Sequence, residues 1–94
     1  MSSERAIEIL ERMAELAETG GAPEAARALV ATAARLAQDP AEGARAIAAM
    51  FGGAGSLNDI VLYRDGQPLA AENAEFDALR SELFDLALAL RGAA

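Results

Sequence analysis

The sequence predicts an α+β domain, mostly α. Three N-terminal helices, a short β-hairpin and a long C-terminal helix should pack as one small domain over 1–94. Apolar residues recur at helical spacing on both sides of a single β-branched and aromatic run, Asp59-Ile60-Val61-Leu62-Tyr63-Arg64. Asp65-Gly66 follows that run as a two-residue turn. The length, 94 residues, suits one core and is too short for two.

The first helix is expected from about Ser3 to Glu18. Glu4, Glu8, Glu11, Glu15 and Glu18 fall on one stripe, and Ala6, Leu10, Met13 and Ala17 on the opposite side. Ser2 or Ser3 can cap it, Gly20-Gly21 stops it, and Glu8 precedes Arg12 in the favourable i,i+4 order. A second helix opens at Pro23 and runs to about Ala37. Its large apolar residues are Leu29, Val30 and Leu36; many of the others are alanine, which suits close packing. The third has the clearest start, Asp39-Pro40-Ala41-Glu42: an acidic cap, a proline at the first helical position and a glutamate at the third. Ala44, Ile47, Ala48 and Phe51 mark one face, and Gly52-Gly53 ends it.

After a glycine-rich connection, the run from Asp59 to Arg64 reads as a strand with apolar character on both faces. Gln67-Pro68-Leu69 reads as a short return strand at an edge, because proline cannot donate to a ladder. A lone hairpin is marginal in water, so this one must lean on the helices. The last helix is expected from about Ala71 to Arg91, with Gly92 as its stop. Phe76, Leu79, Leu83, Leu86 and Leu90 form an a/d seam. Phe84 and Leu88 point away from that seam, so the helix either touches neighbours on two sides or carries part of an interface.

Composition excludes much chemistry. There is no cysteine and no histidine, which removes disulfides, Cys/His zinc sites, thiol nucleophiles and His-based triads. Acids outnumber bases 15 to 8, all the bases are arginine, and the net charge is −7. That balance argues against direct nucleic-acid binding and against an anionic membrane, both of which need clustered positive charge. It permits a basic protein partner. The start, Met1-Ser2-Ser3-Glu4-Arg5, lacks a basic segment followed by an apolar one, and no run approaches a membrane span; a cytoplasmic location is expected.

The glycine-rich stretch lacks the third glycine of a dinucleotide fingerprint and the Gly-Lys-Ser/Thr of a Walker loop, and it lies after a helix instead of before one. No cofactor is expected. Ser56, Asn58 and Asp59 suit backbone bonding within a turn better than catalysis, since Ser56 has no histidine to activate it. No EF-hand spacing or comparable metal-ligand set is present.

Phe51-Gly52-Gly53-Ala54-Gly55-Ser56-Leu57-Asn58-Asp59-Ile60-Val61-Leu62 resembles the signature of a family of small bacterial domains of unknown function: Gly-Gly-x-Gly-Ser-(Phe/Leu)-Asn-Asp-(Leu/Ile)-Val-Leu. The stretch from Glu72 to Leu86 and the helix ending in Met50-Phe51 are also similar to that family. Ala54 stands where Met is common and Leu57 where Phe is common. The resemblance implies a characteristic loop made of Gly53, Gly55, Ser56, Asn58 and Asp59 and no established activity.

Three functions are open at this point. The first is a non-enzymatic acidic protein-binding module that blocks a basic protein stoichiometrically, as an immunity protein or inhibitor does, through Glu4, Glu8, Glu11, Glu15 and Glu18. The second is a structural or self-associating domain, a homodimer formed through Phe84 and Leu88. The third is a small-ligand binder or enzyme using the Ser56–Asp59 loop.

Overall fold

Capping chemistry and glycine placement set the element boundaries. The computed structural model describes residues 2–52 and 57–93. In order it contains helix α1 (Ser2–Thr19), α2 (Pro23–Gln38), α3 (Pro40–Met50), a 3-10 turn (Leu57–Asp59), strands β1 (Tyr63–Arg64) and β2 (Gln67–Pro68), and α4 (Ala70–Ala93). The fold is α+β, mostly α, as the sequence predicts.

Gly21 closes α1. Its φ of 79° lies in the left-handed region, and the Ala22 N–H reaches back to the Ala17 carbonyl at 2.8 Å, a Schellman closure. Pro23 then starts α2 within two residues, so α2 folds back along α1. Asp39 is shared: it ends α2 and caps α3, accepting from the Glu42 N–H at 3.2 Å. Two expected boundaries move. Ser2 and Ser3 lie inside the first turn of α1, and Gly92 lies inside α4.

The helices follow one another in a ring: α1 packs on α2, α2 on α3, α3 on α4, and α4 back on α1. The core inside holds Ile9, Leu10 and Met13 from α1, Leu29 and Leu36 from α2, Ile47 from α3, and Phe76 and Leu83 from α4. The expected seam of α4 is confirmed at Phe76 and Leu83, which are fully buried; Leu79, Leu86 and Leu90 are half-buried, and Ala87 joins the core. Gly43 lets α3 lie directly on α2, since a Cβ there would stand 2.4 Å from the Leu36 Cα.

The strand prediction needs correction. Of the run from Asp59 to Arg64, only Tyr63–Arg64 pairs as strand, and Leu57–Asp59 winds as a 3-10 turn. Tyr63 sits opposite Pro68 and Arg64 opposite Gln67, antiparallel, with Asp65 (φ 52°) and Gly66 (φ 78°) forming the turn. The ladder is short because Pro68 has no N–H and α4 begins at Ala70; Leu69 adds one bond, to the Leu62 carbonyl, at 2.9 Å. The two faces are not both apolar-packed: Leu62 is fully buried and Ile60 half-buried, while Val61 and Tyr63 face solvent. The hairpin leans on α1 through the Tyr63 N–H, which donates to the Gly20 carbonyl at 3.1 Å. A Cβ on Gly20 would stand 2.6 Å from the Leu62 Cβ, so only glycine allows this approach.

Candidate functional site: the α1–α2 groove

Helix α1 has three working faces. Its apolar face enters the core. A second face carries Arg5 and Arg12, seven residues apart, which meet Glu82 and Glu75 of α4, also seven apart. Each pair is bidentate, with Nε–Oε2 at 2.7 Å and the second bond at 2.9 Å. The guanidinium bonds hold the Glu75 and Glu82 carboxyls below the usual carboxylate range. The matching order, Arg5 to Glu82 and Arg12 to Glu75, fixes α1 and α4 as antiparallel.

The third face is the acidic stripe. Glu4, Glu8, Glu11, Glu15 and Glu18 are all exposed, as expected. They do not act as one set. Glu8 accepts from Arg5 at 3.4 Å and Glu15 from Arg12 at 3.0 Å, so the expected Glu8–Arg12 pair is replaced by i,i+3 pairs running from each arginine. Among the described residues, Glu11 and Glu18 make no ion pair.

Glu11, Glu15 and Glu18 border an open groove of about 850 Å³ between α1 and α2. Glu4 and Glu8 lie outside its lining. The floor is apolar and shallow-sided, built from Ile7 and Ala14 of α1 and from Ala26, Val30, Ala33, Ala34 and Ala37 of α2. Within that floor Val30 is 56% exposed. Arg27 is the sole cation among the lining residues. The groove was not legible in the sequence. Its α2 wall is mostly alanine, and alanine carries the same hydropathy whether it faces a neighbour or water. The available signal was Val30, which falls off the Leu29–Leu36 line of α2.

Phe84 and Leu88 are 42% and 52% exposed. Phe84 meets Phe51 edge-on, with ring centres 5.1 Å apart and planes at 70°. The expectation that α4 touches neighbours on two sides holds, since it packs against both α1 and α3, and Phe84 lies on its α3 side. A cleft of about 280 Å³ beside them is lined by Ala48, Phe51, Gly52, Phe84, Ala87, Leu88 and Arg91.

Of the loop residues singled out by sequence, Gly53, Gly55 and Ser56 lie outside the described residues. Asn58 and Asp59 are exposed in the 3-10 turn, and the Asn58 amide donates to the Phe51 carbonyl at 3.4 Å, at the end of α3. Two α4 residues missed by sequence hold this turn and the segment after it. The Arg80 guanidinium donates to the Leu57 carbonyl at 3.2 Å and pairs with Asp77 at 2.8 Å. Asn73 accepts from the Leu62 N–H at 2.8 Å and donates to the Leu62 carbonyl at 3.0 Å, acting as a side-chain substitute for a neighbouring strand. Among the described residues, no group of three or more acidic side chains could hold a metal ion, and no helix is long and apolar enough to cross a membrane.

The family described as Domain of unknown function (DUF6966) matches residues 18–70, more than half of the chain. The chain belongs to that family. The matched span takes in α2, α3, the loop of the sequence signature and the hairpin; most of α1 and all but the first residue of α4 lie outside it. No curated protein and no solved structure matches the chain.

Proposed function

We propose that this DUF6966 domain is a non-enzymatic protein-binding module that occupies a basic surface of another protein, in the manner of an inhibitor or immunity protein. The observation that carries this reading is the groove between α1 and α2, an apolar floor with Glu11, Glu15 and Glu18 along its α1 side. An apolar strip edged along its α1 side by one sign of charge combines the two ingredients of partner recognition: area that gains from leaving water, and charge that selects and steers. The sequence supports it by exclusion, since it offers no histidine, cysteine or lysine for nucleophilic or proton-relay chemistry.

The test is reversal of charge at the two groove acids that make no ion pair among the described residues, Glu11→Arg with Glu18→Arg. Partner proteins that co-purify with the wild-type chain from its native cell should be basic, and the double variant should lose them while its circular dichroism and melting stay those of the wild type. Retention of the same partners by the folded double variant at low salt would end the acidic-docking reading.

A second reading rests on its own observation. Phe51, Phe84 and Leu88 form a continuous, half-exposed apolar patch on the α3–α4 side, away from the groove. Such a patch supports self-association. Sedimentation velocity over a concentration series checks it: a monomer at every concentration removes it.

A further inference from the structure

We infer that the occupant of the α1–α2 groove is an α-helix of the partner, amphipathic, with Arg or Lys along one edge of its apolar stripe. This rests on the protein-binding reading above and adds the partner's form.

Three properties of the groove select a helix. Both walls are helices, whose main-chain N–H and C=O groups are bonded along their own axes. The groove therefore offers no ladder of main-chain partners. An extended peptide laid on it would leave its own backbone unsatisfied against an apolar floor, whereas a helix brings its backbone already bonded. Second, the floor is small: Ala26, Ala33, Ala34 and Ala37 let a third helix approach closely, and the α2 wall from Ala26 to Ala37 runs about three turns. Third, Glu11, Glu15 and Glu18 recur at i, i+4 and i+7, which places them about 6 and 10 Å along the axis. A partner helix with cations at the same repeat meets Glu11 and Glu18, which make no ion pair among the described residues, and joins Arg12 at Glu15.

Charge also decides against a second copy of this chain. The groove presents three carboxylates and one guanidinium, Arg27, so two facing grooves would bring together six acids and two bases. Each chain already carries a net charge of −7. A partner with an excess of Arg or Lys removes that imbalance.

A displayed library of random peptides of about sixteen residues, long enough to span the groove with a turn to spare, is selected against the wild-type chain. Binders are then counter-screened against Ala34→Arg. Ala34 is exposed on the floor, so its replacement fills the groove without entering the core. Enriched peptides should show apolar residues at i, i+3 or i+4, and i+7, with Arg or Lys beside them. They should gain helix on binding, and lose at least about tenfold in affinity on Ala34→Arg and on Glu11→Arg/Glu18→Arg. Basic peptides without helical periodicity that bind Ala34→Arg as well as wild type would overturn the helix assignment and leave acidic docking standing. Peptides whose affinity ignores Glu11→Arg/Glu18→Arg would remove both. No enrichment over Ala34→Arg, or a wild-type dimer that Ala34→Arg dissolves, would also overturn it.

Discussion

At the scale of single residues, two glycines do different work and should fail differently. Gly43 has no special backbone angle; it is required because Leu36 of α2 occupies the space a side chain would take, at 2.4 Å from backbone. Main chain cannot swing aside as a long side chain can. Gly43→Ala should therefore cost about 3 kcal/mol, the upper end of overpacking penalties, despite alanine's better helix propensity. Gly66 has open space around its Cβ position but a φ of 78°. Gly66→Ala meets no clash and should cost only about 1–2 kcal/mol of left-handed backbone strain. Urea denaturation of the two variants checks the order; equal losses would show that close helix approach is not what Gly43 provides. Asn73 is the third special residue. Asn73→Leu strips the Leu62 N–H of its acceptor, whereas the Leu62 carbonyl keeps its bond from Leu69. The expected cost is about 1–3 kcal/mol, with faster amide exchange at Leu62. Gly66 was legible in the sequence as a turn glycine, because its cause is local. The roles of Gly43 and Asn73 were not: each depends on which distant residue lies opposite, and neither glycine spacing nor an asparagine inside a helix encodes that.

At the scale of elements, helix starts and the hairpin turn were legible because their causes are local. Asp39-Pro40 and Asp65-Gly66 act through bonds and angles within a few residues. The helix pairing was not legible, because Arg5, Arg12, Glu75 and Glu82 read as solvated surface until α1 and α4 are side by side. Their two bidentate pairs match the α1–α4 register and add an acid-sensitive contribution to it. Glu75 and Glu82 titrate below their ordinary values in the folded chain, because Arg12 and Arg5 bond the charged forms. Folding then favours the ionised state. The contribution is present above the unfolded carboxylate pKa of about 4.3 and is lost as pH falls through the lowered folded values. The pairs are exposed, so the effect is modest and salt-sensitive. Glu75→Gln/Glu82→Gln should be less stable than wild type near neutral pH, and the two should converge as pH falls below the lowered folded values. Parallel denaturation curves at several pH values measure this. A difference that stays constant from neutral to acid would mean that the carboxylate charge is not the origin.

At the scale of the whole molecule, the acidic stripe was legible as periodicity and the groove beside it was not. A stripe of charge is a property of one helix, whereas a groove is a property of two. The same distinction bears on the α3–α4 patch. Phe84 and Leu88 stood out in sequence as apolar residues off the seam, and Phe51 joins them only because α3 lies against α4. The chain keeps this surface in water while carrying a net charge of −7, and like-charged copies repel over about a Debye length. Screening that repulsion should let the patch associate without altering any carboxylate. Near neutral pH, raising salt from about 0.02 to 0.5 M shrinks the screening length from roughly 20 Å to under 5 Å. The sedimentation coefficient of the wild type should rise with salt at fixed protein concentration. Phe84→Ser/Leu88→Ser should stay monomeric across the series, since both positions are half-exposed and their loss opens no cavity in the core. Ala34→Arg, on the opposite groove, should behave as wild type. If the groove variant stays monomeric and the patch variant associates, the self-associating surface is the groove, and the division of labour between the two faces is the reverse of the one proposed.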